Sequence, residues 1–241
     1  MSNLATKTVG EIASLNPSAT RIFEGLKIDY CCGGTQTLET ACASAGLNVE
    51  EVSQSLEQAA LASGASKLTE NRTHQPLSIL IEHILMTHHV FTKEELARLD
   101  PLMAKVCSVH GKNHPELHEV HTLFQGLAME LAMHLRKEEE VLFPFIVQME
   151  KSVTLGNSIP VPPFGTIQNP IRMMEREHEG AGDVLARLRT MSGNYTVPPD
   201  GCASFQTLYQ ALQDLEADLH QHIHLENNIL FTRAIRMESG E

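Results

Sequence analysis

HLRKEEEVLFP at residues 134 to 144 and HIHLENNILF at 222 to 231 decide the fold. Both read His-x-x-x-Glu-x-x-[Val/Ile]-Leu-Phe, with His134, Glu138 and Phe143 in one and His222, Glu226 and Phe231 in the other. Residues four apart lie within about 40° of each other on an α-helix, one turn along the axis, so each stretch sets an imidazole and a carboxylate on one helix face. Upstream, His89 is followed eight residues later by Ala97-Arg98-Leu99, and His178 eight residues later by Ala186-Arg187-Leu188. The spacing from His89 to His134 is 45 residues and from His178 to His222 it is 44. The chain therefore reads as a duplicated helical hairpin, each copy offering one His from its first helix and a His/Glu pair from its second.

The surrounding pattern is helical throughout, with no short alternating segments bounded by turns. Helices are expected over 77–106, 115–150, 170–191 and 203–237, broken by HGKNHP at 110–115, by 156–170 with its four prolines, and by SGNYTVPPDG at 192–201. Four such helices predict an antiparallel bundle, with the long middle connection crossing between the hairpins. Residues 1–62 read as short helices: Thr8 with Glu11 and Asn48 with Glu51 fit capping boxes, and Asn16 precedes Pro17 at a helix start. Between them DYCCGG, 29–34, makes a turn that should carry its thiols near the surface. Residues 63–76, small and polar and ending in proline, read as a linker to a bundle at 77–241. The expected fold class is all-α, a four-helix bundle behind a small helical N-terminal domain.

Composition separates these parts. All 13 histidines fall between His74 and His224, while Cys31, Cys32 and Cys42, three of the five cysteines, lie in the first 73 residues. Against 18 Lys plus Arg stand 30 Asp plus Glu, a net charge of −12, which argues against a general nucleic-acid or anionic-membrane surface. No apolar run of 18 residues and no signal-like start is present, so a cytoplasmic protein is expected. An odd cysteine count fits a reducing compartment, with Cys107 and Cys202 read as ordinary thiols.

Four imidazoles and two carboxylates exceed one tetrahedral zinc and suit two six-coordinate metals sharing carboxylate bridges, with iron and manganese both compatible. A ferritin-like site needs two Glu-x-x-His motifs, and among the four candidate histidines only Glu175 to His178 has that spacing. The hemerythrin-like arrangement fits better. Helix phase turns His118, His220 and His224 by roughly 160° and His121 by roughly 220° away from the ligand face, which predicts exposure to solvent. His110 and His114 flank a helix start and read as turn residues. His88 rivals His89, and the Ala-Arg-Leu register favours His89. Glu130 reads either as an outer carboxylate or as rim, and Glu177 as a weaker outer acid.

DYCCGG, VHGKNHPEL at 109–117, HLRKEEEVLFP, EREHEGAG at 175–182 and HIHLENNILF together resemble the iron–sulfur cluster repair di-iron proteins, the RIC or YtfE/ScdA type, over nearly the whole chain. The resemblance implies a hemerythrin-like bundle around two non-haem irons, with His89, His134, His178 and His222 as terminal ligands and Glu138 and Glu226 as bridges. His88 stands where the family has tyrosine, and Thr232 where the second hairpin often has proline. The implied role is repair of clusters damaged by nitric oxide or oxidants, with iron donated from the site to damaged iron–sulfur proteins. Cys31 and Cys32 would pass on or reduce something at the cluster, form a reversible disulfide, or serve folding alone. Two other functions stay open: a redox enzyme acting on NO or O₂, and a hemerythrin-like NO or O₂ binding or sensing protein. A homodimer built on the N-terminal module is expected.

Overall fold

The computed structural model describes residues 4–63 and 75–240. Most of the expected linker, 64–74 with His74, lies outside the described residues. All regular elements among the described residues are helical, apart from an isolated bridge between Thr8 and Thr37. Four short helices come first: α1 Val9–Leu15, α2 Pro17–Leu26, α3 Leu38–Ala45 and α4 Val49–Ser63. The caps follow from the sequence. Thr8 accepts from the Glu11 N–H while Glu11 accepts from the Thr8 N–H, a complete capping box, and Asn16 caps α2 with Pro17 in its first turn. Asn48 Oδ1 takes the N–H groups of Glu50 and Glu51.

Four long helices follow. Helix α5 spans 77–110, α6 spans 116–154, α7 is Gln168–Met191 and α8 spans 203–239. Three of them contain a π-helical turn: Ile84–His89 in α5, Glu138–Leu142 in α6 and Leu225–Phe231 in α8. In α5 the Val90 N–H reaches the Leu85 carbonyl, and in α6 the Phe143 N–H reaches that of Glu138, each five residues back. The sequence reading places these helices correctly but sees no π turns, because the hydrophobic period carries no mark of a local widening.

The chain divides into two compact units. One is built from His83–Pro144 and Arg172–Leu219 and contains a stretch of each long helix. Its core is a seam at alternating three- and four-residue spacing: Leu99, Met103 and Val106 of α5, Val120, Phe124, Leu127 and Leu131 of α6, Ala181, Leu185 and Leu188 of α7, and Leu208, Leu212, Leu215 and Leu219 of α8. That spacing is the knobs-into-holes pattern of a helical bundle.

The other unit is built from 1–82, 145–171 and 220–241. Val9, Ile12, Phe23, Ile28, Tyr30, Leu38, Val52 and Leu56 form the core of its short helices. Here the duplication extends to the helix ends. Glu150 of α6 accepts from the Leu77 and Ser78 N–H groups at the start of α5, and Glu238 of α8 accepts from the Ile167 N–H beside the start of α7. Each glutamate stands twelve residues after the Glu of its His-x-x-x-Glu pair, and each brings negative charge to a helix N-terminus. Thr232 does more than end a helix: α8 runs on through Thr232–Ser239, and the Thr232 hydroxyl donates to the Asn227 carbonyl at 3.1 Å.

Candidate metal centre

Within the first unit, three helices bring four of the expected ligands together. His134 and Glu138 lie one turn apart on α6, with His134 Nε2 3.4 Å from Glu138 Oε2. His89, from the π turn of α5, places its Nε2 3.5 Å from the same oxygen. His178 of α7 faces His134, their Nε2 atoms 3.0 Å apart. In the second unit, His222 Nε2 and Glu226 Oε1 of α8 meet at 2.8 Å. All six side chains are buried, and both glutamates are 0% exposed. Two carboxylates with imidazole neighbours and no access to water carry a charge that burial penalises heavily, and a bound cation answers it. Nitrogen and oxygen donors without sulfur fit iron or manganese rather than a structural zinc.

Behind two of the imidazoles stand carboxylates that the sequence reading undervalued. His89 Nδ1 lies 2.7 Å from Glu139 Oε1, and Glu139 is also held by Lys93 at 2.6 and 2.8 Å. His134 Nδ1 lies 2.8 Å from Glu177 Oε2, and Lys137 donates to the other Glu177 oxygen. Burial pushes both carboxyls up, but hydrogen bonds and charge from the lysine and histidine outweigh it and hold both below the ordinary carboxylate range. An ionised carboxylate only accepts, so each Nδ1 carries the proton and each Nε2 presents its lone pair. Glu139 was hidden inside the run Glu138-Glu139-Glu140, which reads as a charged face. Glu130 is exposed.

His88 is a core histidine, 4% exposed, with Nδ1 2.9 Å from Asp218 Oδ1. His118 is exposed, and His121 is half-buried against Asp100 at 2.8 Å. The expectation of solvent for His220 and His224 is corrected. His220 is half-buried with Nδ1 2.8 Å from Glu24 Oε1, which also accepts from the Tyr30 hydroxyl, and His224 is 4% exposed with its ring 5.5 Å from that of Tyr30. Burial pulls His224 down to about 4, so its imidazole is neutral. Helix phase sets these residues away from His222 around α8, but that side of α8 meets the short helices rather than water.

The cysteine turn is corrected likewise. Cys31 is 5% exposed and Cys32 half-buried, their sulfurs 3.9 Å apart. The Asp29 carboxylate collects the N–H groups of Cys31, Cys32 and Gly33 and curls the turn inward. Asn228 of α8 donates to the carbonyls of Tyr30 and Cys31 at 3.1 and 3.3 Å. It comes so close to Gly34 that a Cβ there would stand 2.3 Å from Asn228 Oδ1. The Cys32 thiol, burial and the Asp29 charge together push the Cys31 thiol well above its ordinary range. In this state Cys31 is a thiol and not a thiolate.

Long helices presenting buried His and Glu donors, backed by oriented outer carboxylates, define a hemerythrin-type cation-binding protein. Residues 80–234 match the hemerythrin HHE cation binding domain, and residues 5–60 match ScdA_N, a domain of unknown function. The chain is 34% identical over 95% of its length to the iron-sulfur cluster repair protein YtfE of Citrobacter koseri, covering 97% of that protein. It shows the same identity and coverage toward the protein of that name from Escherichia coli O157:H7. It is also 34% identical over 97% of its length to a probable iron-sulfur cluster repair protein of Haemophilus influenzae, covering 98% of it. The chain belongs to this family of iron–sulfur cluster repair proteins. No helix among the described residues is long and apolar enough to cross a membrane.

Proposed function

We propose that this protein repairs iron–sulfur clusters damaged by nitrosative or oxidative stress, supplying iron to damaged iron–sulfur proteins in the cytoplasm from a carboxylate-bridged di-iron centre. The reading is carried by the donor set: four imidazoles and two carboxylates, each 3% exposed or less. His89, His134, His178 and His222 would be the terminal ligands, with Glu138 and Glu226 bridging. Names and identities of the relatives support the activity.

Iron held by these residues would supply both a transferable metal and a place for NO or O₂ to bind. The protein's part is to tune release. Glu138 and Glu226 supply the negative charge that retains the metal, and a proton on either carboxylate removes that charge and weakens the site. Glu139 and Glu177 fix the proton at Nδ1 of His89 and His134, which keeps Nε2 ready as donor. Lys93 and Lys137 keep those outer carboxylates ionised.

The test is to load the protein with ferrous iron anaerobically, add an enzyme whose cluster has been nitrosylated, and compare recovery with that from equal free iron. Repair predicts faster recovery than free iron and loss of the effect in Glu138→Gln. Recovery no faster than free iron would overturn it, and sustained NO consumption with a reductant would shift the reading to an oxidoreductase. A homodimer in solution, read by light scattering, completes the proposal.

A further inference from the structure

Where the ligand level of the first unit gives way to its apolar core, one buried hydroxyl has nothing to bond. On each long helix, the residue three places from a proposed ligand toward that core is Thr92 on α5, Leu131 on α6, Ala181 on α7 and Leu219 on α8. Leu131, Ala181 and Leu219 are apolar members of the core. Thr92 is 0% exposed, and its hydroxyl has no hydrogen-bond partner among the described residues. A threonine inside a helix commonly returns its hydroxyl to the carbonyl four residues earlier, as Thr122, Thr154, Thr190 and Thr207 do at 2.8 to 2.9 Å. Thr92 makes no such bond to His88, whose imidazole is engaged with Asp218. Residues three apart on a helix hold their Cβ atoms about 5–6 Å apart, and helical side chains lean toward the N-terminus. Thr92 stands in the regular segment Val90–His110, which begins directly after His89, so its side chain leans back toward that ligand.

We propose that the Thr92 hydroxyl is the hydrogen-bond donor to the small ligand that the metal centre takes up, and that it favours ligands able to accept a hydrogen bond: NO, O₂ or an anion of their size. The proposal rests on the reading of the six His and Glu residues as iron ligands. A hydroxyl buried without a partner carries a desolvation penalty that valine, its near-isostere, avoids. An acceptor entering the site removes that penalty, so the bond strengthens binding of the ligand without holding the fold together. Leu131, Ala181 and Leu219 bring no side-chain donor to this level, and the ionised carboxylates of Glu139 and Glu177 behind the imidazoles only accept. Discrimination between an accepting and a non-accepting ligand therefore falls to Thr92.

The test compares wild type, Thr92→Val and Thr92→Ser as full chains, both without metal and loaded with iron, with azide as the probe of the oxidised loaded protein. Without metal, Thr92→Val should unfold at the same urea concentration as wild type or a higher one, because a methyl replaces a hydroxyl that bonds nothing. A lower midpoint would reveal a structural bond and overturn the proposal. With metal, all three should hold equal iron by elemental analysis. Thr92→Val should then bind azide about tenfold more weakly, with Thr92→Ser close to wild type. The infrared stretch of bound azide should shift in D₂O for wild type and Thr92→Ser but not for Thr92→Val. Equal azide affinity in all three, no azide bound by iron-loaded wild type, or iron lost from Thr92→Val would each overturn the proposal alone. Wild type that takes up no iron would overturn the metal centre and the proposal together.

Discussion

Glu177 is next in sequence to His178, yet it serves His134 on the neighbouring helix, its Oε2 2.8 Å from His134 Nδ1. His89 has the equivalent partner in Glu139, at 2.7 Å, and each carboxylate is backed by a lysine. Glu177→Gln should therefore act on an imidazole 43 residues away. An amide no longer compels the proton to Nδ1, so iron affinity should fall about 10- to 100-fold, read by competition with a chelator. Glu139→Gln should behave alike, and unchanged affinity in both would refute the role.

His88 and His89 should separate cleanly. His89→Asn removes a donor and should lower iron content, by elemental analysis. His88→Asn should leave iron content intact and cost about 1–3 kcal/mol of stability, because Asp218 loses its buried partner. Loss of iron in the His88 variant alone would reverse the assignment.

The cysteine turn should depend on a residue outside it. Asn228→Ala strips the carbonyls of Tyr30 and Cys31 of a donor and should destabilise the protein by about 1–3 kcal/mol. Gly34→Ala should cost a similar amount, about 1–3 kcal/mol, because its Cβ meets Asn228. Urea denaturation measures both, and a neutral Gly34→Ala would show that the turn yields.

Glu150→Gln and Glu238→Gln should each cost about 0.5–2 kcal/mol, since each weakens the cap at a helix start. Hydrogen exchange offers the sharper check: protection should drop at Leu77 and Ser78 in the first variant and at Ile167 in the second. The same pattern in both variants would mean global loosening instead.

One ion pair sets a pH window. The Asp200 hydrogen bond first, then its charge and Glu116, raise His114 above its ordinary value, while His114 lowers Asp200. The His114 contribution is complete below about 6.5, its unfolded value, and is lost as pH rises through the higher folded value. The Asp200 contribution is present above about 3.9 and is lost as pH falls through the depressed folded value. The pair therefore helps most at mildly acidic pH. An NMR titration should place His114 above the ordinary histidine midpoint, and Asp200→Asn should bring it back.

The sequence by itself determined the all-α fold, the four long helices and the duplication. Those depend on hydrophobic period, caps and breakers, which are local and survive in a linear reading. It also singled out six residues that the structure buries, because a residue's angle around its own helix follows from its number. What another helix contributes was not legible. Glu139 looked like part of a charge run, Glu177 like a neighbour of the wrong histidine, and His224 like a solvent residue. Only tertiary structure decides which side of a helix meets water, which carboxylate lies behind which imidazole, and where a π turn forms. Each of these depends on contacts between segments tens of residues apart, and helical period constrains phase along one helix, not the identity of what packs against it.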